Sequence, residues 1–198
     1  MKKYIITISR QFGSLGRPIA KELAGLLNIE YYDRDIIEAA AKKLGLPVSK
    51  ISESEESARG GYFRMKFPLG IQSTSVQDQI FEAQKHAIEE LAEKESCIIV
   101  GRCSDAILEN YPNHLHLFIY APYADRYWNS MNSLMMSAGE AKKLIAEVDR
   151  ARLAYHLKYA GFAPEDLEHK DMLINSSMLG VTGTAQLLAH LVKTRFTD

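Results

Sequence analysis

The residues best suited to chemistry lie near the start of the chain, in Ser9-Arg10-Gln11-Phe12-Gly13-Ser14-Leu15-Gly16-Arg17-Pro18. A short β-branched run, Tyr4 to Ile8, precedes this segment, and apolar residues at helical spacing (Ile19, Leu23, Leu26, Leu27) follow it. A glycine-containing turn between a strand and a helix can aim main-chain N–H groups and the positive end of the helix dipole at one anion. Glycine lets the backbone approach an oxyanion closely. Set against the phosphate-loop pattern G-x-x-x-x-G-K-[ST], Gly16 is the second glycine, while Gln11, Arg17 and Pro18 stand at the first-glycine, lysine and hydroxyl places. The segment therefore reads as a phosphate cradle made by Gly13, Ser14, Leu15, Gly16 and Arg17, with a plain strand-to-helix turn as the alternative. Arg17 could fork onto phosphate oxygens. Pro18 cannot ligate Mg²⁺, so a metal would have to be held elsewhere, by Ser14 or by Asp33 through water. No residue is assigned as a direct metal ligand.

Phosphoryl transfer needs positive charge around the transferring group and little covalent chemistry from the protein. Three further places could supply that charge or face an acceptor. Asp33-Arg34-Asp35 follows a second short strand; Asp33 could bind an acceptor or simply cap the next helix. Gly101-Arg102 ends a buried apolar run, at the sheet edge where ligands of open α/β sheets bind. Arg126, Arg150 and Arg152 lie on two helices that read as a lid, with Asp149 placed to orient one of them; a solvated charged face is the alternative. A basic and aromatic patch (Arg59, Tyr62, Phe63, Arg64, Lys66, Phe67) reads as a flap or a contact between copies, with a clamp that stacks on an acceptor nucleotide as the alternative. His114 and His116 alternate along one strand and read as strand residues, not metal ligands.

Short apolar strands alternating with helical spacing must position these groups. Strands are expected at Tyr4–Ile8, Ile29–Tyr32, Ser96–Val100, His114–Tyr120 and Asp171–Asn175. Helices follow from Ile19, after Asp33, over Ser75–Lys94, from Pro122 to about Met135, from the capping box Ser137/Glu140 to Tyr159 with Gly161 as its end, and over Val181–Phe196. This order predicts an α/β chain with three α/β/α layers around a five-stranded parallel sheet. The whole chain, 1–198, reads as one domain, with 49–74 a mobile acceptor-side insertion and about 122–161 a helical lid.

Composition agrees with a globular domain: 198 residues, 46% hydrophobic and 25% charged, with formal net charge −1. A near-neutral chain has no global field to recruit nucleic acid. The start of the chain lacks an apolar leader, no run reaches the roughly 20 apolar residues of a membrane span, and two cysteines fit a reducing compartment. A cytoplasmic protein, monomer or homodimer, without membrane or nucleic-acid partners, is expected.

Taken in order, I-S-R-Q-F-G-S-L-G-R, Y-Y-D-R-D-I-I, I-I-V-G-R-C-S-D-A-I-L, F-I-Y-A-P-Y-A-D-R, D-R-A-R and I-N-S-S-M-L-G resemble the cytidylate-kinase-like family of P-loop nucleoside-monophosphate kinases. The resemblance implies a P-loop kinase fold with a helical lid, ATP and Mg²⁺ as cofactors, and a small-molecule acceptor such as CMP. Arg17, Arg126, Arg150 and Arg152 would then serve catalysis, with Asp33 and Arg102 facing the acceptor. Other readings are a small-alcohol kinase of the shikimate-kinase type and a nucleotide-binding regulator with weak catalysis.

Overall fold

The computed structural model describes residues 3–43, 45 and 74–196. The proposed insertion at 49–74 and its basic and aromatic patch lie outside the described residues, except for Thr74. Five strands form one sheet: β1 (Ile5–Arg10), β2 (Glu30–Tyr32), β3 (Cys97–Val100), β4 (His114–Tyr120) and β5 (Met172–Asn175). Their order is β2-β3-β1-β4-β5 and every pairing is parallel. The helices are α1 (Gly16–Leu27), α2 (Arg34–Lys43), α3 (Thr74–Lys94), α4 (Ser104–Ile107), α5 (Tyr123–Asn132), α6 (Ala138–Ala160) and α7 (Gly180–Phe196). Each expected strand and each expected helix is present. Among the described residues the one-turn α4, too short to show a period, and the 3-10 turn Leu167–His169 are additions.

The apolar strands are buried on both faces, as parallel strands covered by crossover helices must be. On one face Ile6, Ile8, Ile98, Val100, Leu115 and Leu117 pack under α1 and α7 through Ile19, Leu23, Leu188 and Val192. On the other, Ile5, Cys97 and Ile99 meet Ile37, Ala83, Ala87 and Ile88 of α2 and α3. Helices on both sides of a parallel sheet make the three-layer architecture. Cys97 and Cys103 are both buried and free. Burial raises both thiols well above the usual thiol range.

The caps follow the sequence. Asp33 accepts from the N–H groups of Asp35 (3.1 Å) and Ile36 (3.4 Å) at the start of α2. Ser137 and Glu140 close the capping box of α6, and Gly161 ends it at φ 85°. A third apolar cluster joins Phe12 of the glycine turn to Met136, Ala141, Ile145 and Val148 of the α5–α6 unit. At its far end α6 docks on α3, where Tyr159 stacks on Phe81 with ring centroids 4.1 Å apart. Among the described residues no helix is long and apolar enough to cross a membrane.

Candidate active site

Parallel connectivity brings the carboxyl ends of β1, β3 and β4 together, and the turn between β1 and α1 lies on that edge. Leu15 adopts φ 58° and accepts the N–H of Ile19 (3.1 Å), opening α1. The Gln11 N–H continues the sheet to Ile119 (3.0 Å), and the Phe12 N–H goes to the Asp149 carboxylate (2.7 Å). Among the described residues, the N–H groups of Gly13, Leu15, Gly16 and Arg17 meet no acceptor in the protein, while Phe12 and Gly13 form a turn that brings the Ser14 N–H back towards Gln11. That is the donor array an anion at a helix start requires.

The helices α5 and α6 hold the turn from behind. Asn129 donates to the Gly13 carbonyl (2.9 Å), Arg126 to the Phe12 carbonyl (3.4 Å), and Arg152 to the Arg10 carbonyl (2.9 Å). Arg126 also pairs with Asp149. Its charge is thereby bound into the joint between these helices and the turn, and it lines neither of the clefts described below. Arg150 is exposed on α6 and likewise lines neither. The Ser14 hydroxyl is fully buried beneath the turn and donates to the carbonyls of Gln11 (2.9 Å) and Ile119 (3.1 Å). The Ser14 hydroxyl is therefore not offered to an anion.

Two clefts open on this edge. One is lined by residues 10–13 and 15–18 of the turn together with Leu134 and Arg152. The other lies between Arg10, Arg34, Arg102, Arg152 and Tyr155. Arg10 and Arg152 line both, so the clefts meet at these two side chains. Of the expected site residues, the structure brings Arg17 and the turn to the first cleft and Arg102 to the second, with Arg152 between. Asp33 sits beside them through Arg17, whose Nη2 is 3.0 Å from Asp33 and 3.8 Å from Asp35.

Arg102 follows Gly101 in an unusual backbone: Gly101, Arg102 and Cys103 have φ of 78°, 59° and 53°. Left-handed non-glycine residues cost on the order of 1–2 kcal/mol each and persist where the surroundings enforce them. The Arg102 guanidinium lies 5.7 Å from the centre of the Tyr155 ring. Burial, and then its cation neighbours Arg17 and Arg102, lower Arg152 to about 10 against the raising effect of Asp149.

Two groups were not singled out from the sequence. Arg34, between two aspartates, enters the second cleft while bonding Asp35 (2.9 Å). Arg10, the last residue of β1, is the larger omission. Burial and the charges of Arg152, Arg17 and Arg102 push it well below the ordinary arginine value. A guanidinium stays protonated throughout the working range, so that direction measures how poorly the place suits a cation lacking an anion. The available signal was one of position: Arg10 is the charged residue that closes an apolar strand at the ligand-facing edge.

A group of mixed charge adjoins the second cleft, which His156 helps to line. Lys170 and His156 both contact Asp105, whose side chain is 1% exposed. Burial alone would raise Asp105, but the hydrogen bonds and charges of His156 and Lys170 outweigh it and hold the carboxyl well below its usual range. His156 directs Nε2 at both Asp105 oxygens (3.1 and 3.0 Å) and Nδ1 at the Phe162 carbonyl (2.8 Å). Both ring nitrogens are thus engaged by oxygen atoms of the protein.

Among the described residues no group of three His, Cys, Asp or Glu could hold a metal ion. Pro18 has no hydroxyl, Ser14 turns its own inward, and Asp33 is paired. The turn fits the phosphates of a nucleotide but offers a magnesium ion no direct protein ligand.

An all-parallel sheet in this order, with a glycine turn after its central strand and helices on both faces, defines a kinase-type P-loop protein. The chain belongs to the cytidylate kinase-like family, whose model matches residues 5–178. Among solved structures it is similar to an uncharacterized protein from Eubacterium ventriosum ATCC 27560 (28% identity, TM-score 0.76, covering 98% of this chain and 100% of that one). It shares its fold with a shikimate kinase from Bacteroides thetaiotaomicron (13% identity, TM-score 0.57, 97% and 99% covered). A shikimate kinase from Acinetobacter baumannii in complex with shikimate shares it too (12% identity, TM-score 0.56, 99% and 96% covered). No curated protein matches the chain. Family and fold together support a kinase acting on a nucleotide or another small substrate.

Proposed function

We infer that the protein transfers a phosphoryl group from ATP to a small anionic acceptor, a nucleoside monophosphate such as CMP being the first choice. When bound, ATP supplies the phosphoryl group. The main-chain N–H groups of residues 13–17 hold its phosphates, and the lid helices keep that turn in shape through Asp149 and Asn129. The observation that carries the reading is the junction of two clefts at Arg10 and Arg152, one lined by the turn and the other by arginines. Adjoining donor and acceptor sites place the reacting groups together, which is most of what phosphoryl transfer asks of a protein.

The lining of the second cleft favours a phosphate acceptor over a neutral alcohol. Arg10, Arg34, Arg102 and Arg152 suit an anion, and among the described residues lining the cleft there is no carboxylate to deprotonate a hydroxyl. A phosphate acceptor is already ionised and needs no strong base. Arg102 is the acceptor residue supported by this lining; Asp33 contributes through Arg17. Magnesium enters only as an ion carried by the nucleotide.

The test is ADP release on mixing the protein with ATP, Mg²⁺ and a panel of nucleoside monophosphates and small hydroxy acids. Turnover with a pyrimidine monophosphate is expected. Turnover with hydroxy acids alone would transfer the assignment to the small-alcohol reading. ATP-dependent stabilisation without turnover on any acceptor would favour a regulator.

A further inference from the structure

Arg17 occupies the lysine place of the phosphate-loop pattern, yet its charge is directed at Asp33 and Asp35. The space beneath the turn belongs to Arg10. A Cβ at Gly16 would lie 2.9 Å from the Arg10 Cβ, and one at Gly101 only 2.3 Å from Arg10 Nη1. The side chain thus threads between two glycines, from the turn to the end of β3, and lines both clefts. Its Nε is buried with no hydrogen-bond partner. Among the described residues no carboxylate pairs with it, and its charged neighbours are arginines. A half-buried cation whose Nε is fully enclosed, with like charge around it, is costly unless an anion joins it.

We propose that Arg10 is the cation that meets the transferring phosphate, in place of the lysine missing from the turn, and that the junction it occupies takes the terminal phosphate of a polyphosphate. Arg17 instead ties the turn to the acceptor edge. Phosphoryl transfer breaks one P–O bond, leaving its electron pair on the departing ADP oxygen, and makes another to an acceptor oxygen. Arg10 forms no covalent bond and stabilises the charge on the phosphoryl oxygens between these two events. The rate part of the proposal rests on the kinase reading, whereas the binding part does not.

Both parts can be read on the intact chain by comparing Arg10→Met, Arg10→Lys and Arg17→Met. Inorganic tripolyphosphate should raise the thermal midpoint of the wild type, raise that of Arg10→Lys by less, and leave Arg10→Met unmoved. In the ADP-release assay, Arg10→Met should lower kcat by about 100- to 1000-fold, the usual loss for one charge-stabilising donor. Arg10→Lys should recover part of that loss, and Arg17→Met should cost about tenfold. Gly101→Ala, which leaves Arg10 in the chain but blocks its path, should reproduce the Arg10→Met loss. Arg10→Met that keeps wild-type tripolyphosphate stabilisation would overturn the proposal. So would Arg17→Met as the more damaging change in both assays. If the wild type turns over no acceptor, the kinase reading falls, and the tripolyphosphate comparison still decides the role of Arg10.

Discussion

Two charge clusters lie side by side in this molecule, one buried and one half-buried, and they are built on opposite principles. Around Asp105 the charges are mixed: one carboxylate is enclosed by Lys170 and His156, and Ser9 contacts it at 3.5 Å. One residue along the chain, Arg10 lies among Arg152, Arg17 and Arg102. The first cluster satisfies itself and fastens α4, α6 and the approach to β5 beside the acceptor cleft. The second is incomplete without an anion and marks where one binds. Crowding of charge alone does not separate a structural charge from a functional one, whereas the sign of the surrounding charges does. Arg126 and Arg152 repeat the contrast on α5 and α6: Arg126 is closed off by Asp149, while Arg152 stands at the junction of the clefts.

The contrast breaks first at Asp105. Asp105→Ala leaves a fully buried lysine and a buried histidine without their carboxylate. A loss of about 3–5 kcal/mol is expected, read by urea denaturation; a loss no larger than that of a surface change would deny the cluster its structural role.

His116, next to this cluster, adds a dependence on pH. Burial, and then the stacked His114, lower it to about 4. The fold therefore prefers the neutral ring, while the unfolded chain takes up its proton near pH 6.5. The stability this provides is complete above about pH 6.5 and is lost as pH falls from there towards 4, about 3 kcal/mol in all. Unfolding free energies measured across that window should decline, and His116→Asn should flatten the decline.

Asp149→Ala tests the joint between these helices and the turn. It removes the partner of Arg126 and the acceptor of the Phe12 N–H, and should cost about 2 kcal/mol in stability. It should also weaken tripolyphosphate binding, because the turn loses its support.

The smallest expected effect has the opposite sign. Arg10→Met replaces a cation among cations by an apolar chain of similar length, and should make the unliganded protein more stable by about 1 kcal/mol while removing anion binding. Destabilisation by several kcal/mol would show that Arg10 belongs with Asp105 as a structural charge.

Much of the frame was legible from local pattern. The β-branched runs, the Ser137/Glu140 box, the Asp33 cap and Gly161 each act over a few residues, so a sequence displays them directly. The glycine turn was legible for the same reason. The arginines were not, because a guanidinium's role depends on what the fold brings near it. Arg126, Arg150 and Arg152 share two helices and one residue type, yet the structure pairs the first, exposes the second and takes only the third to the clefts. Arg10 lay inside a motif already recognised. Only the approach of Gly16 and Gly101, 85 positions apart in sequence, shows that its side chain runs beneath the turn. His156 was invisible for a similar reason: its partners, Asp105 and the Phe162 carbonyl, meet it through tertiary packing.

The most direct test of the account is a crystal structure with a non-hydrolysable ATP analogue. The β- and γ-phosphates should lie within hydrogen-bond reach of the main-chain N–H groups of residues 13–17, with the Arg10 guanidinium on the γ-phosphate and Arg17 still paired with Asp33. A triphosphate seated away from that turn, or one held by Arg17 with Arg10 uninvolved, would contradict it.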